Sequence, residues 1–136
     1  MEVLMADREV LLFANEVFYQ AFANRDIDAM QHIWASGTPV CCIHPGWDAI
    51  HVREYILESW HSILSNPESP TIHCRAAQVV TWGDVNAVVC FEQIGQSFLI
   101  ATNLFVQEAG QWRMVLHQAS PTSAKPPTED DVGAIN

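Results

Sequence analysis

The chain has 136 residues, 49% of them hydrophobic and five of them Trp, which suits one domain with its own core and excludes a disordered segment. Sixteen acidic against six basic side chains give a formal charge of -10, which sets nucleic acid and anionic membrane surfaces aside as partners. No apolar run is long enough to span a bilayer and Met1-Glu2-Val3 lacks the basic start of a signal peptide, so a cytoplasmic protein is expected.

From Asp7 to about Asn24, Val10, Ala14, Val17 and Ala21 share a helical stripe that Leu11, Phe18 and Phe22 widen, with Asp7 as the expected N-cap. Asn24-Arg25-Asp26 has turn chemistry, and Asp26 can cap a short second helix carrying Ile27, Met30, Ile33 and Trp34, stopped by Gly37 and Pro39. Pro39 to His44 reads as an edge or bent strand that ends in Pro45-Gly46-Trp47. Asp48 is the expected cap of a third helix, with Val52, Ile56, Trp60 and Ile63 on its apolar stripe and Asn66-Pro67 at its end.

Ile72 to Ser120 reads as an antiparallel meander. Its segments TIHCRAAQVVTW, NAVVCFEQIG, SFLIATNLFVQE and QWRMVLHQAS are rich in β-branched and aromatic residues, and turn residues separate them at Gly83-Asp84, Gly95-Gln96 and Ala109-Gly110. The order helix, helix, strand, helix, meander predicts an α+β domain over residues 1–120, its helices covering one face of the sheet. The Pro- and Asp-rich tail over 121–136 is expected to be mobile or to lie along a partner subunit.

The chain resembles the NTF2-like superfamily, and within it the SnoaL-like group, a cystatin-like fold. The resemblance rests on CIHPGW (Cys42 to Trp47), LESW (Leu57 to Trp60), Gly83-Asp84 followed by NAVVCFE, ATNLF (Ala101 to Phe105) and WRMVLHQASP (Trp112 to Pro121). It implies a conical pocket between sheet and helices, and a dimer or larger assembly. Isomerases, dehydratases, hydrolases, cyclases and non-catalytic hub domains all use this fold, so the resemblance names no reaction. In the related association domain of calcium/calmodulin-dependent protein kinase, the position matching Asn103 points into the cone.

Alternation along the strands sorts the meander into two faces. With a two-residue turn at Ala109-Gly110, Thr102 faces His117, Asn103 faces Leu116 and Phe105 faces Met114. The register carried across Gly95-Gln96 sets Phe91 near Ala101 and Val89 near Asn103. The concave face then collects Val89, Phe91, Ala101, Asn103, Phe105, Trp112, Met114, Leu116 and Gln118. Glu92, Arg75, Arg113 and His117 fall on the outer face, with Arg75 and Glu92 as a cross-strand ion pair.

The expected pocket is apolar, with Trp34, Trp60 and Phe91 as walls, Asn103 and Gln118 as inner hydrogen-bonding groups, and His44 with Trp47 at the mouth. If the protein is an enzyme, His44 is the expected proton-transfer group, in metal-free acid–base chemistry of the isomerase, cyclase or hydrolase type. The alternative is an interaction or oligomerisation module whose cone the tryptophans fill. A concave face without Asp or Glu argues against a ketosteroid-isomerase-like mechanism. Relatives often carry histidines where this chain has Leu116 and Gln118, and glycine where it has His51. His32, His51, His61 and His73 lack ligand spacing and read as surface residues, and Cys41, Cys42, Cys74 and Cys90 read as reduced thiols. No metal is expected, and no cofactor: G-x-G-x-x-G, a P-loop and H-E-x-x-H are all absent. The expected partners are a small apolar ligand and a second copy of the chain, docked through the outer sheet face.

Overall fold

The computed structural model describes residues 5–128. Its elements run α1 (Met5–Ala23), α2 (Ile27–Ile33), β1 (Cys41–Ile43), α3 (Arg53–Ser65), β2 (His73–Trp82), β3 (Val85–Ile94), β4 (Ser97–Glu108) and β5 (Gln111–Thr122). The strands form one sheet in the order β1-β5-β4-β3-β2, with β1 parallel to β5 and the other neighbours antiparallel. Helices on one face of a curved, mostly antiparallel sheet make this the expected α+β cone. The expected tail begins later than Pro121, because Pro121 and Thr122 still pair with Leu99 and Phe98 on β4. Residues 129–136 lie outside the described part.

Local chemistry accounts for most helix boundaries, with two corrections. Asp26 caps α2 as expected, its side chain accepting from Ala29 N at 3.0 Å. Asp7 instead lies inside the first turn of α1, where its charge complements the helix dipole without capping. Asp48 does not start α3. Its Oδ1 accepts from Ala49 N, and Ile50 exchanges two backbone hydrogen bonds of 2.9 Å with Cys42, which holds this segment extended until Val52.

The inward stripe of α1 is also rotated from the expected one. Leu11, Asn15, Phe18 and Tyr19 are buried, whereas Val10 is 46% exposed. Two polar side chains, Asn15 and Tyr19, therefore enter the core on a helix whose apolar residues alone suggest a dry face. Phe18, Met30, Ile56, Trp60, Phe105 and Met114 fill the space between helices and sheet.

Two details of register decide what faces the helices. Ala109 and Gly110 both have positive φ, as a two-residue hairpin turn requires, and Phe105 pairs with Met114 as expected. Beyond that pair β5 carries an extra residue, Val115, so Leu104 pairs with Leu116 and Asn103 with His117. The turn at Gly95-Gln96 also has two residues, closed by Ile94 and Ser97, which pairs Cys90 with Ala101 and Val88 with Asn103.

Each detail shifts pairing by one residue and so exchanges the faces. Val88, Cys90, Glu92, His117 and Ala119 turn inward and are buried. Val89, Phe91, Leu116 and Gln118 move to the convex face, where they are half-buried. The expected Arg75–Glu92 ion pair does not exist: Cys74 lies opposite Glu92, and Arg75 donates to Gln93 at 2.7 Å.

Candidate functional site

A cavity of about 330 Å³ opens between α1, α3, the loop after β1 and the concave face of the sheet. Phe22, Trp47, Trp60, Ile94 and Leu99 supply its apolar wall, and His44, Glu92 and His117 are its titratable groups. The volume lies at the lower end of the range for small-molecule pockets.

The interior polar group is assembled from four elements, one helix and three strands. On β3, Glu92 is 3% exposed. The hydroxyl of Tyr19 on α1 donates to its Oε2 at 2.6 Å, and His117 Nε2 on β5 lies 3.9 Å from the same oxygen. On β4, Asn103 Nδ2 donates to Asn15 Oδ1 at 2.8 Å and to the Tyr19 oxygen at 3.2 Å. That use of the amide leaves Asn103 Oδ1 as the acceptor for His117 Nδ1, 2.6 Å away. His117 Nδ1 therefore carries the proton, and Nε2 presents its lone pair toward Glu92 and the cavity.

Burial shifts these groups in opposite directions, because it penalises whichever form is charged. The Glu92 carboxyl is pushed up to about 7, burial outweighing the Tyr19 hydrogen bond that favours the carboxylate. His117 is pushed down to about 3 by burial, reinforced by nearby His44. Tyr19 is raised by burial first and by the Glu92 charge second. Near neutral pH the site thus holds a neutral imidazole beside a carboxyl close to half ionisation, an acid matched to proton transfer at that pH.

At the mouth, His44 is 3% exposed and packs edge-to-face on Trp47 and Trp60, with 4.8 Å between ring centroids in each pair. Ser59 Oγ lies 2.8 Å from His44 Nε2 and donates its own proton to the Ile56 carbonyl at 2.6 Å. The imidazole must therefore donate from Nε2 to Ser59, and burial holds its pKa down at about 4. Because that hydroxyl proton points at a helix carbonyl, Ser59 and His44 are not arranged as a nucleophile and its base.

Of the residues singled out in the sequence, His44, Trp47 and Trp60 meet at this cavity. Asn103 does not line it and is linked to it through His117 and through Tyr19 to Glu92. Trp34 is buried beside Met114 and borders a separate recess with Gln31, Ser36 and Arg53. Phe91 packs against Phe98 on the convex face at 6.1 Å, and Gln118 lies opposite Thr102 on that same face. Glu92, His117 and Tyr19 form the interior group without having been expected there. The acid-free concave face is overturned by Glu92, and with it the argument against a ketosteroid-isomerase-like mechanism. A two-residue turn at Gly95-Gln96, with Asn103 inside, is the sequence signal that places Glu92 inward.

All four cysteines are free. Among the described residues no group of three or more His, Cys, Asp or Glu side chains could hold a metal ion, and no helix is long and apolar enough to cross a membrane.

Residues 12–124 match the SnoaL-like domain family. F-box protein SKIP8 from Arabidopsis thaliana is 25% identical over 120 residues, which cover 85% of this chain and 51% of that protein. The chain thus spans about half the length of the curated relative it matches. Among solved structures, a candidate dehydratase of the NTF2-like family from Streptomyces avermitilis superposes with a TM-score of 0.78 and 27% identity, covering 88% of this chain and 98% of the other. A candidate calcium/calmodulin-dependent protein kinase type II association domain from Thiobacillus denitrificans superposes with a TM-score of 0.68 and 32% identity, covering 81% and 93%.

Proposed function

This chain belongs to the SnoaL-like family, and on that premise we propose that it binds a small, largely apolar molecule in its cone and transforms it by acid–base proton transfer. Glu92 moves the proton, and neutral His117 beside it orients the substrate. The observation that carries this reading is a buried carboxyl 3.9 Å from an unprotonated imidazole nitrogen, both bordering an apolar cavity, where burial pushes the carboxyl up to about 7. The likeness to a candidate dehydratase supports the same class of chemistry.

The arrangement suits loss of water from a small hydroxy carbonyl compound. The Glu92 carboxylate takes the proton from the carbon next to the carbonyl, and the C–H electron pair becomes the new C=C bond. The C–O bond to the β-hydroxyl breaks, and Glu92 hands that proton to the departing oxygen, which leaves as water and restores the carboxylate. Neutral His117, whose low pKa makes it a poor base, accepts a hydrogen bond from the substrate hydroxyl at Nε2 and orients it beside the carboxyl 3.9 Å away. Tyr19 orients the carboxyl, Asn103 fixes the His117 tautomer, and Trp47 and Trp60 hold the apolar part of the substrate. His44, its Nε2 proton committed to Ser59, shapes the mouth and leaves proton transfer to the interior pair.

The test incubates the purified protein with a panel of small cyclic β-hydroxy ketones, following water loss and α-carbon deuterium exchange by mass spectrometry. Glu92→Gln is expected to keep binding, read as quenching of tryptophan fluorescence, while turnover falls at least about 100-fold. Neither quenching nor turnover across the panel would remove this reading.

We take the protein to act in the cytoplasm as a homodimer joined through the convex sheet face, where Phe91, Phe98, Ile100 and Leu104 are half-buried and apolar. Likeness to an association domain supports a second reading, a non-catalytic assembly module. The cavity in the cone favours the first. Light scattering separates them: a dimer agrees with the ligand-binding reading, and a large ring favours the module.

A further inference from the structure

We propose that Cys74 and Cys90 form an oxidant-responsive thiol pair that closes to a disulfide behind Glu92. The register brings them together: Cys74 on β2 pairs directly with Glu92 on β3, and Cys90 precedes Glu92 by two residues. Directly paired residues share a face, as do residues two apart on a strand, so all three side chains point into the cone. Each thiol is near enough to shift the other's titration, Cys74 downward and Cys90 upward. Cys90 Sγ also lies 3.2 Å from the Tyr19 hydroxyl, and Asn15 Nδ2 donates to Cys74 Sγ at 3.6 Å.

The two sulfurs differ in access. Cys74 is half-buried and lines a second cavity of about 530 Å³ between α1 and β2, on the far side of Tyr19 from the first. Cys90 is 1% exposed and is not among the residues that line this cavity. An oxidant entering here meets Cys74 first. The neighbouring Cys90 thiol, and after it the Asn15 amide, favour the Cys74 thiolate and hold its pKa below the usual thiol value against burial, whereas the Cys74 neighbour first and burial second raise Cys90, and burial raises the half-buried Cys41. β2 pairs only with β3, so the adjustment that draws the sulfurs to bonding distance disturbs a single ladder.

The co-reactant is a hydroperoxide. The Cys74 thiolate attacks its outer oxygen, the O–O bond breaks, and the departing oxygen takes up a proton, leaving a sulfenic acid on Cys74. The Cys90 sulfur then attacks the Cys74 sulfur, the S–O bond breaks, and hydroxide leaves with the Cys90 proton as water. Two thiols are oxidised by two electrons and one peroxide is reduced. Closure removes the Cys90 thiol proton 3.2 Å from the Tyr19 oxygen, the hydroxyl that donates to Glu92. Only this last consequence rests on the acid–base function; the disulfide is tested without any ligand.

The experiment treats the reduced, purified chain with hydrogen peroxide at neutral pH, then blocks remaining thiols and maps cysteine peptides by mass spectrometry. The expected product is an intramolecular Cys74–Cys90 disulfide, reversed by dithiothreitol, formed at a peroxide concentration that leaves Cys41 and Cys42 reduced. In Cys90→Ser the expected product is a Cys74 sulfenic acid trapped by dimedone, and in Cys74→Ser, Cys90 stays reduced. The wild-type mapping decides the matter even if a variant does not fold. A stable sulfenic or sulfinic acid on Cys74 with Cys90 free, a Cys74 disulfide between two chains, oxidation of Cys41 at the same rate as Cys74, or no thiol loss would each overturn the proposal.

Discussion

The mouth and the interior of the cone each hold one buried neutral histidine, yet they are built differently. At the mouth, His44 and Ser59 are 15 residues apart, and their hydrogen bonding ends on the carbonyl of Ile56. In the interior, Tyr19, Glu92, Asn103 and His117 come from one helix and three strands, with sequence separations of 73 between Tyr19 and Glu92 and 84 between Tyr19 and Asn103. Burial depresses both histidines, but only the interior adds a carboxyl that the same burial raises. Pairing groups of opposite charge type in one desolvated space makes a proton exchangeable near pH 7. The mouth, with only neutral donors and acceptors, supplies shape.

The most severe way to break the interior is to change the parity of the strand that aims it. Inserting one alanine between Leu116 and His117, with the bulge at Val115 kept, sets His117 opposite Thr102, turns His117 and Ala119 to the convex face and drives Gln118 inward. The expected cost exceeds about 4 kcal/mol, the range for burying unpaired polar groups and emptying a core. Urea unfolding measures it, and a variant that keeps wild-type stability would show that residue parity along β5 does not set the face.

Glu92→Gln should have the next largest effect, and it is a gain. A carboxyl whose folded pKa is raised contributes stability that is fully present below its unfolded pKa, near 4.5, and is lost as pH rises through about 7. Wild type should therefore fall relative to Glu92→Gln by about 3 kcal/mol between pH 4.5 and pH 8. The buried histidines act with the opposite sign, their contribution being lost as pH falls below 6.5 toward about 4 and about 3, and they cancel in the difference between the two proteins. Parallel stability curves would show that Glu92 titrates as an exposed acid. Tyr19→Phe removes the hydrogen bond that favours the carboxylate. It should cost about 1–2 kcal/mol at pH 8 and move the Glu92 midpoint upward from about 7, read by carboxyl carbon NMR.

The difference between the two regions also explains what was legible in the sequence. His44, Trp47 and Trp60 belong to a loop and a helix whose local patterns speak for themselves: a Pro-Gly turn and a stripe at helical spacing. Helix capping by Asp26, the hairpin at Ala109-Gly110 and the α+β order are local in the same sense. The interior depends on the parity of two long-range registers. Alternation says which residues of one strand share a face, but not which face, and that choice is carried from strand to strand through every turn and bulge. Reading Gly95-Gln96 one residue too long put Glu92 outside and Phe91 inside. Missing the bulge at Val115 did the same to His117 and Gln118. Nothing in the apolar pattern of β5 marks Val115, because Val115 and Leu116 suit either face equally. Asn15 and Tyr19 are not legible because a helical stripe is sought in apolar residues, and these polar ones are buried by virtue of long-range partners: Asn103 for both, Cys74 for Asn15, and Glu92 and Cys90 for Tyr19.

Ser59→Ala makes the smallest change and the sharpest comparison. It deletes the acceptor of the His44 N–H and leaves that proton only the Cys42 sulfur at 3.6 Å. One lost neutral hydrogen bond in a buried setting should cost about 1 kcal/mol at pH 7. Because the Ser59 hydroxyl ends on a backbone carbonyl and touches none of the interior group, the Glu92 midpoint should stay near 7 in this variant, in contrast to its rise in Tyr19→Phe. Carboxyl titration by NMR reads both variants on the same scale. An equal displacement in the two would mean that His44 and His117 exchange charge effects strongly across the cavity, and mouth and interior would then be one electrostatic unit. An unmoved midpoint in Ser59→Ala with a raised one in Tyr19→Phe leaves the proton with the interior pair and assigns the mouth to substrate shape alone.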